Sequence, residues 1–397
     1  MESPRGTQGR PPEVHFYSLS GSTSVEPTAD HPDAAQPHWQ IALPDGTEPT
    51  AYIEFLGVWV ASEHVIWEIF ISDYGVRGYA IEVCNWRTGQ ITSRIDLATR
   101  PMHVVLLDPS YLLVTPRDDC PRSRYLTIFS ISPTVPSRPL CTLQLPGDHK
   151  VDPEQPLSLF TMVMSPSSSP PGGHFRADPS MSMVVLTYEG WQGAHGILTT
   201  YLLIPFTTIL AQIRPVAPHR GGGATADEQV PHPAPYDPPA PIPWEDWGAR
   251  GCLRLRPQTG AYAMLPQPRV IPFSSRIPIV VYHDPLFRNV SIYVVDINPL
   301  AARHASSQAR AAHESDRGAT AVAVVEDVEG ALPGVVDPEC SAIPYVVYRF
   351  PLRDVSGPRW NGRPLRCSIW LVEMTMTGFA LSLTTGVYAG PLPSWTV

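Results

Sequence analysis

The sequence contains none of the common short motifs that carry enzyme chemistry. It has no GxSxG nucleophile elbow, no GxxxxGK[ST] phosphate loop, no GxGxxG fingerprint, no HExxH zinc pair and no EF-hand loop. His283 adjoins Asp284, but neighbouring side chains on a strand point to opposite faces, so this pair indicates a strand end and a turn at Asp284-Pro285. We therefore expect no catalytic, cofactor-binding or metal-ligating residues, no cofactor and no enzyme activity.

The most distinctive short segment is Trp244-Glu245-Asp246-Trp247-Gly248, which follows a proline-rich stretch. Two large aromatic side chains here flank two carboxylates. Tryptophans in such a position either anchor an interface or fix the return of a long loop to the core. A glycosidase site is disfavoured because consecutive acids rarely share one side. We select Trp244, Asp246 and Trp247 as partner-contact or loop-anchor residues.

The composition favours an all-β fold. The 397 residues include 47 prolines and 28 glycines, and proline interrupts helices, which favours short strands joined by turns. From Tyr52 onwards, short apolar and aromatic runs follow one another as in antiparallel meanders. Grouped four to a blade, they predict a β-propeller-like, WD40-like fold with roughly five to seven irregular blades, long Pro-rich loops and one or two short helices. A large sandwich is the alternative. Asn85-Trp86-Arg87-Thr88-Gly89 is typical of the tight turn between outer strands of a blade.

The chain is predicted to hold an irregular N-terminal lead-in, residues 1–50, and a single propeller-like β domain, residues 51–397. Insertions near residues 165–173, 215–243 and 301–334 are predicted to be disordered, because proline, glycine and small residues dominate them. A helix that begins after Asn298-Pro299 is the alternative for the third insertion.

Charge and hydropathy exclude two classes of partner. The net charge is −9, Lys150 is the single lysine and the arginines are dispersed, so we expect no nucleic-acid partner. The uncharged segment Gly196 to Ile213 is nearly long enough to cross a bilayer, but its threonines and Pro205 favour a strand, Ile197 to Ile204, followed by a short helix. We expect no membrane partner.

Cysteine usage and the first residues bear on the compartment. The six cysteines form neither a CxxC pair nor a zinc-finger cluster. The residues after Met1 lack the apolar stretch of a secretory signal. We expect a monomeric intracellular protein, cytoplasmic or nuclear, with reduced cysteines.

Seven blocks of sequence, in order along the chain, resemble the β-rich C-terminal region of the expanded F-box proteins of mushroom-forming (basidiomycete) fungi. The blocks are Asn85 to Gly89, Leu106 to Leu113, Leu126 to Pro133, Arg176 to Met183, Tyr201 to Pro205, Ile242 to Gly248 and Val294 to Leu300. The resemblance covers Tyr52 to Ala301 well and the C-terminal strands loosely. It implies a β-rich region that selects protein substrates.

Members of that family dock on a Skp1-type adaptor through an N-terminal F-box, for which Met1 to Thr50 shows no paired amphipathic helices. The resemblance therefore implies an adaptor partner only if an upstream F-box exists. The leading hypothesis is a protein-protein interaction module, a substrate-receptor-like relative of F-box proteins with an unknown protein substrate. The alternatives are a propeller-based enzyme with a site in the central channel, or a non-functional family relic.

Overall fold

The computed structural model describes part of the chain in detail, and all structural statements concern that part. The described residues are 13–15, 34–35, 38–40, 52–61, 63–73, 76–97, 99–116, 125–131, 137–146, 158–163, 181–191, 197–213, 240–256, 269–282, 289–314, 323–324, 343–353, 356–360, 363–374, 379–385 and 395–396. The predicted insertion near residues 165–173, and residues 215–239 of the second insertion, lie outside them.

The first compact unit comprises Met1–Asp119, Tyr125–Thr142 and Pro238–Ala240. It contains a two-stranded sheet and two four-stranded antiparallel sheets. The small sheet pairs β1 (Glu13–His15) with β2 (His38–Gln40). Sheet A consists of β3 (Tyr52–Ala61), β4 (His64–Asp73), β5 (Val76–Asn85) and β6 (Gln90–Leu97). Sheet B consists of β7 (Pro101–Asp108), β8 (Tyr111–Pro116), β9 (Tyr125–Ser130) and β10 (Pro139–Gln144), whose last residues belong to the second unit.

Sheet A is buried on both faces at its centre. Alternate residues on β4 point to opposite faces, so Ile66 packs with Ile81, Val83 and residues of sheet B, while Val65, Trp67 and Ile69 form a second cluster on the other face. Because both faces are covered, β4 reads as an almost continuous apolar run instead of an alternating pattern.

The second compact unit comprises Cys120–Arg124, Leu143–Asp237 and Pro241–Val397. Sheet C is formed by β11 (Ser158–Val163), β12 (Met183–Trp191), β13 (Ile197–Pro205) and β14 (Leu253–Leu255). Between β13 and β14 lie the helices α1 (Phe206–Leu210) and α2 (Trp244–Trp247). The next strand in sequence, β15 (Arg269–Ile271), belongs neither to sheet C nor to the following sheet D; it is part of sheet E, described below.

Sheet D has the order β16 (Arg276–Tyr282), β17 (Asn289–Asp296), β19 (Val346–Arg353) and β18 (Ala323–Val324), with helix α3 (Pro299–Glu314) between β17 and β18 in sequence. Sheet E contains β15, β21 (Arg363–Met374), β22 (Phe379–Thr385) and β23 (Trp395–Thr396), and β20 (Ser356–Trp360) pairs with β21. One face of sheet D packs on sheet C in a buried cluster that includes Ile279 and Leu203. The opposite face packs on sheet E in a second cluster that includes Ile292 and Val372.

These elements confirm the all-β prediction, with few helices among the described residues. The strand and short helix predicted around Pro205 are confirmed as β13 and α1. For the third insertion, the helix is the alternative that is observed: α3 begins at Pro299, and the Asn298 Oδ1 atom accepts a hydrogen bond from the Leu300 N–H at 2.8 Å. At sixteen residues, α3 is longer than the short helices expected. The prediction of one domain for residues 51–397 stays a prediction.

The predicted tight turn between β5 and β6 is also confirmed. The Asn85 side-chain oxygen accepts hydrogen bonds from the backbone N–H groups of Arg87 and Thr88, at 3.0 and 3.1 Å. The Gly89 N–H donates to the Asn85 carbonyl at 2.9 Å, and Gly89 has a φ of 74°. That backbone conformation favours glycine, which explains why the turn ends on this residue.

Candidate functional site

Helix α2 packs its two tryptophans together on its buried side. Trp244 and Trp247 are 8% and 3% exposed, and their rings meet edge to face with centroids 5.1 Å apart. Pro243 precedes the helix with a φ of −59°, which suits a helix start, and the Gly248 N–H bonds to the Trp244 carbonyl at 2.8 Å. The sequence thus forms a single compact turn between a proline and a glycine.

The residues around α2 are fixed to the end of β10. Ile242 forms a parallel bridge with Leu143, and the Ile242 carbonyl accepts a hydrogen bond from the Gln144 N–H at 2.9 Å. The Trp247 indole N–H donates to the Gln144 carbonyl at 2.9 Å. The backbone of Gln144 is therefore held twice, by the backbone of Ile242 and by the side chain of Trp247. We call residues 242–248 the tryptophan turn.

Glycine is required where the tryptophan turn leads into β14. A Cβ atom at Gly248 would overlap the ring of Trp244, and a Cβ atom at Gly251 would overlap the methyl group of Thr208 on α1. The Thr208 hydroxyl donates to the Gly251 carbonyl at 2.8 Å. The close approach of these groups makes α1, the tryptophan turn and the start of β14 one packed assembly.

The carboxylates of the tryptophan turn lie on its outer side. Glu245 and Asp246 are exposed, whereas both tryptophans are buried. Of the three residues selected from the sequence, the structure therefore brings Trp244 and Trp247 together with Gln144 and leaves Asp246 at the surface. A contact between Asp246 and a partner stays a prediction. Glu245 and Asp246 thus offer two negative charges to solvent, on a turn that Trp244 and Trp247 fix in position.

Sequence reasoning missed a buried ionic network in sheet A. Glu82 is 1% exposed; its carboxylate accepts a hydrogen bond from the Trp67 indole N–H at 2.9 Å and an ion pair from Arg94 at 2.7 Å. Each oxygen of Glu82 thereby has a partner on a neighbouring strand, so the carboxylate links three strands of the sheet. The signal in the sequence was an acid inside an apolar run, Ala80-Ile81-Glu82-Val83-Cys84.

Two further buried ionisable groups lie on β4. Glu68 pairs with Arg100 at 3.2 Å, and burial raises the pKa of its carboxyl group, although Arg100 acts in the opposite direction. Burial lowers the pKa of His64, which Glu63 partly offsets. The His64 Nδ1 atom is buried without a hydrogen-bond partner. His64 and Glu68 are four residues apart on one strand, too far from each other for shared acid-base chemistry.

The described cysteine thiols are suited to packing. Cys84, Cys141 and Cys252 are buried and reduced. Desolvation raises the pKa of Cys84 to about 12 and that of Cys141 to about 11, so neither thiol is nucleophilic at neutral pH.

Among the residues that the structure describes, no group of three or more His, Cys, Asp or Glu side chains could hold a metal ion. In the same residues, none of the helices is both long and apolar enough to span a membrane.

Comparisons with known proteins add no constraint. No protein-family model, no curated protein and no solved structure matches the chain.

Proposed function

We propose that this chain is a protein-protein interaction module, a substrate-receptor-like relative of F-box proteins, without catalysis of its own. The single observation that carries the proposal is that most sheets are formed by strands that follow one another in sequence. Sheets A, B and C are each built from four consecutive strands, sheet D contains β16 to β19, and sheet E contains β20 to β23 together with the earlier strand β15. Consecutive antiparallel sheets of this size are the repeating unit of β-propellers, whose loops commonly bind other proteins. We therefore propose a propeller-like arrangement of these sheets.

The tryptophan turn supports a binding role for one surface. Its indoles are fixed by Gln144 and by each other, so Glu245 and Asp246 are presented on a turn whose position is set before any partner arrives. A turn whose backbone is already fixed loses less conformational entropy on binding, which raises affinity, and complementary charges on the partner give specificity. The family resemblance implies a protein substrate and, where an F-box is present upstream, a Skp1-type adaptor.

The proposal is tested by tagging the C-terminus at the endogenous locus, capturing the protein and identifying its partners by mass spectrometry. We expect a partner at near-stoichiometric yield. Asp246→Lys should reduce that yield about tenfold, because charge reversal at a specific contact is strongly unfavourable. Glu373→Lys, which reverses an exposed charge on β21, is the matched control and should leave the yield unchanged.

The outcomes separate the possible roles. Co-capture of a Skp1-type adaptor and a cullin, with peptides from upstream of Met1, would identify a ubiquitin-ligase receptor. A stable partner without them would identify a stand-alone binding protein. Absence of any partner, together with turnover of a small metabolite by the purified chain, would overturn the proposal.

A further inference from the structure

Strand β3 is an edge strand of sheet A. It pairs with β4 along ten residues, and in the described part of the chain no strand or backbone group bonds to its other side. The strand contains neither proline nor lysine, the residues that commonly protect an edge from pairing with another strand. Only a bulge at Gly57, over which the Trp59 ring packs, interrupts its regular pairing.

Two other edge strands, β10 and β19, are partly protected. Leu143 on β10 is bridged by Ile242. On β19, the short strand β18 covers only Val346 and Val347, but Pro351 follows and cannot donate a hydrogen bond to an added strand. Strand β3 has neither a bridging segment nor a proline in the part of the chain that the structure describes, although its bulge and Glu54 give it some protection.

The register shows which backbone groups of β3 point outwards. Ala61 is paired with His64, and a two-residue connection can close only on a hydrogen-bonded pair. Hydrogen-bonded and non-hydrogen-bonded pairs alternate, so Trp59 bonds to Ile66, whereas the N–H and C=O groups of Val58 and Val60 point away from β4. The Val58 and Val60 side chains are 50% and 68% exposed.

The charge around β3 indicates the chemistry of its partner. Glu54 lies on β3 and the exposed Glu63 follows it, and the sequence from Ala51 to Val76 contains no lysine or arginine. Arg100 reaches Glu68, the residue opposite Gly57, at 3.2 Å, so its charge is engaged by that carboxylate. Arg87 contacts Glu63 at 3.5 Å, but this pair is half exposed and therefore weak. Pairing of β3 with the β3 of a second copy would bring acids together, whereas a basic segment would be attracted.

We propose that the outer edge of β3 from Gly57 to Val60 binds an extended segment of a partner protein, which adds a strand to sheet A. The partner segment carries apolar residues at alternate positions, to cover Val58 and Val60, and basic residues that flank them. Main-chain hydrogen bonds give the affinity in such strand addition, and the alternate side chains and charges give the specificity. This inference rests on the proposed function as a binding module and names one of its surfaces.

The test uses a fluorescein-labelled, end-blocked peptide of sequence Arg-Thr-Val-Thr-Val-Thr-Val-Thr-Arg, titrated with the full chain by fluorescence anisotropy. We expect binding that is weakened about tenfold by N-methylation of alternate backbone amides, because this change removes strand pairing and keeps every side chain. Replacement of both arginines by glutamate should weaken binding to a similar extent, because the Glu54 and Glu63 charges then repel the peptide.

Variants of the chain locate the contact. Val60→Lys should weaken peptide binding about tenfold, whereas Ile91→Lys, on the opposite edge of sheet A, should change it less than about twofold. Circular dichroism and urea midpoints establish that both variants fold. Hydrogen exchange gives a reading independent of mutation: the Val58 and Val60 amides should exchange fast in the free chain and slowly with peptide, and the Trp59 amide should be slow in both.

Protected Val58 and Val60 amides in the free chain, or equal binding of the N-methylated peptide, would overturn the inference. Sedimentation as a dimer that Val60→Lys dissociates would overturn it too, because the occupant would then be a second copy. If endogenous capture yields a partner that Val60→Lys still retains, this inference fails and the binding function stands. If capture yields no partner, the binding function fails first.

Discussion

Glu82 and Trp67 illustrate how a buried charge is accommodated within a sheet. They are directly opposite each other on β5 and β4, and Arg94 reaches the same carboxylate from β6, where it is one quarter exposed. Three adjacent strands are thereby joined through one side chain. A buried charge is costly unless it is paired, so removal of Glu82 leaves the buried Trp67 N–H without its acceptor and leaves Arg94 with its exposed partner Asp96 at 3.2 Å.

We expect Glu82→Ala to lower the free energy of unfolding by about 3 kcal/mol, because the Trp67 N–H and the Arg94 guanidinium lose their shared acceptor. Glu63→Ala, which breaks the half-exposed pair with Arg87, is the control and should cost less than about 0.5 kcal/mol. Urea unfolding followed by tryptophan fluorescence measures both. Equal effects of the two substitutions would show that the Glu82 network contributes no more than a surface pair.

Because burial lowers the pKa of His64, we expect the folded protein to lose stability in mild acid. Burial holds its folded-state pKa below the usual 6.5, so between the two values the unfolded chain binds a proton that the folded chain does not. Stability from this group is therefore complete above pH 6.5 and decreases as the pH falls below it. The raised pKa of Glu68 acts in the opposite direction above pH 4.5, so only the difference between variants isolates His64.

We expect wild-type protein to lose more stability than His64→Gln between pH 7.5 and pH 5.5, as measured by the urea midpoint at each pH. His304→Gln, at an exposed position on α3, should behave as wild type. Parallel pH profiles for wild type and His64→Gln would contradict a depressed His64 pKa.

At the scale of elements, the tryptophan turn shows how few residues can fix a long connection. Four residues of helix supply two indoles, one hydrogen bond reaches Gln144, and Gly248 allows the chain to pass directly under the Trp244 ring. The absence of a side chain at Gly248 leaves room for the Trp244 ring against the backbone that leads to β14.

We expect Gly248→Ala to destabilise the protein by about 1–3 kcal/mol, because its Cβ would overlap the Trp244 ring and force the turn to shift. Gly78→Ala, on β5, is the matched control: nothing lies within 4 Å of the added Cβ, so the substitution should be neutral or slightly stabilising. Urea unfolding gives the free energies, and near-ultraviolet circular dichroism reports on the tryptophan pair. An unchanged dichroism spectrum in Gly248→Ala would show that the turn tolerates the added methyl.

At the scale of the whole molecule, the sequence predicted most strands but few of their contacts. Strands β4 and β13 were predictable because β-branched and aromatic runs bounded by turn residues have few alternatives. Strand β20 has little strand signal in the sequence because it contains Pro358, which coincides with an irregularity in its pairing, and β15 has little because it is only three residues long.

For the candidate sites, too, the sequence indicated the residues but not their contacts. Trp244 and Trp247 stand out by residue type alone, but their partner Gln144 is 103 residues away from Trp247 and could be known only from the fold. The link between Trp67 and Glu82 likewise depends on the register of β4 with β5, which a shift of one residue would abolish.

The position of β15 sets an order of events during synthesis. Sheets A, B and C consist of consecutive strands, so each can assemble soon after its last strand leaves the ribosome. Strand β15 is made before sheet D, yet it pairs in parallel with β21 and needs Val372 to lie beside Val270. Until β21 has been translated, β15 lacks its partner strand, and Val270 has yet to take its place in the buried cluster of sheets C and D. Translation of β21 is therefore the step that gives β15 its partner strand in sheet E.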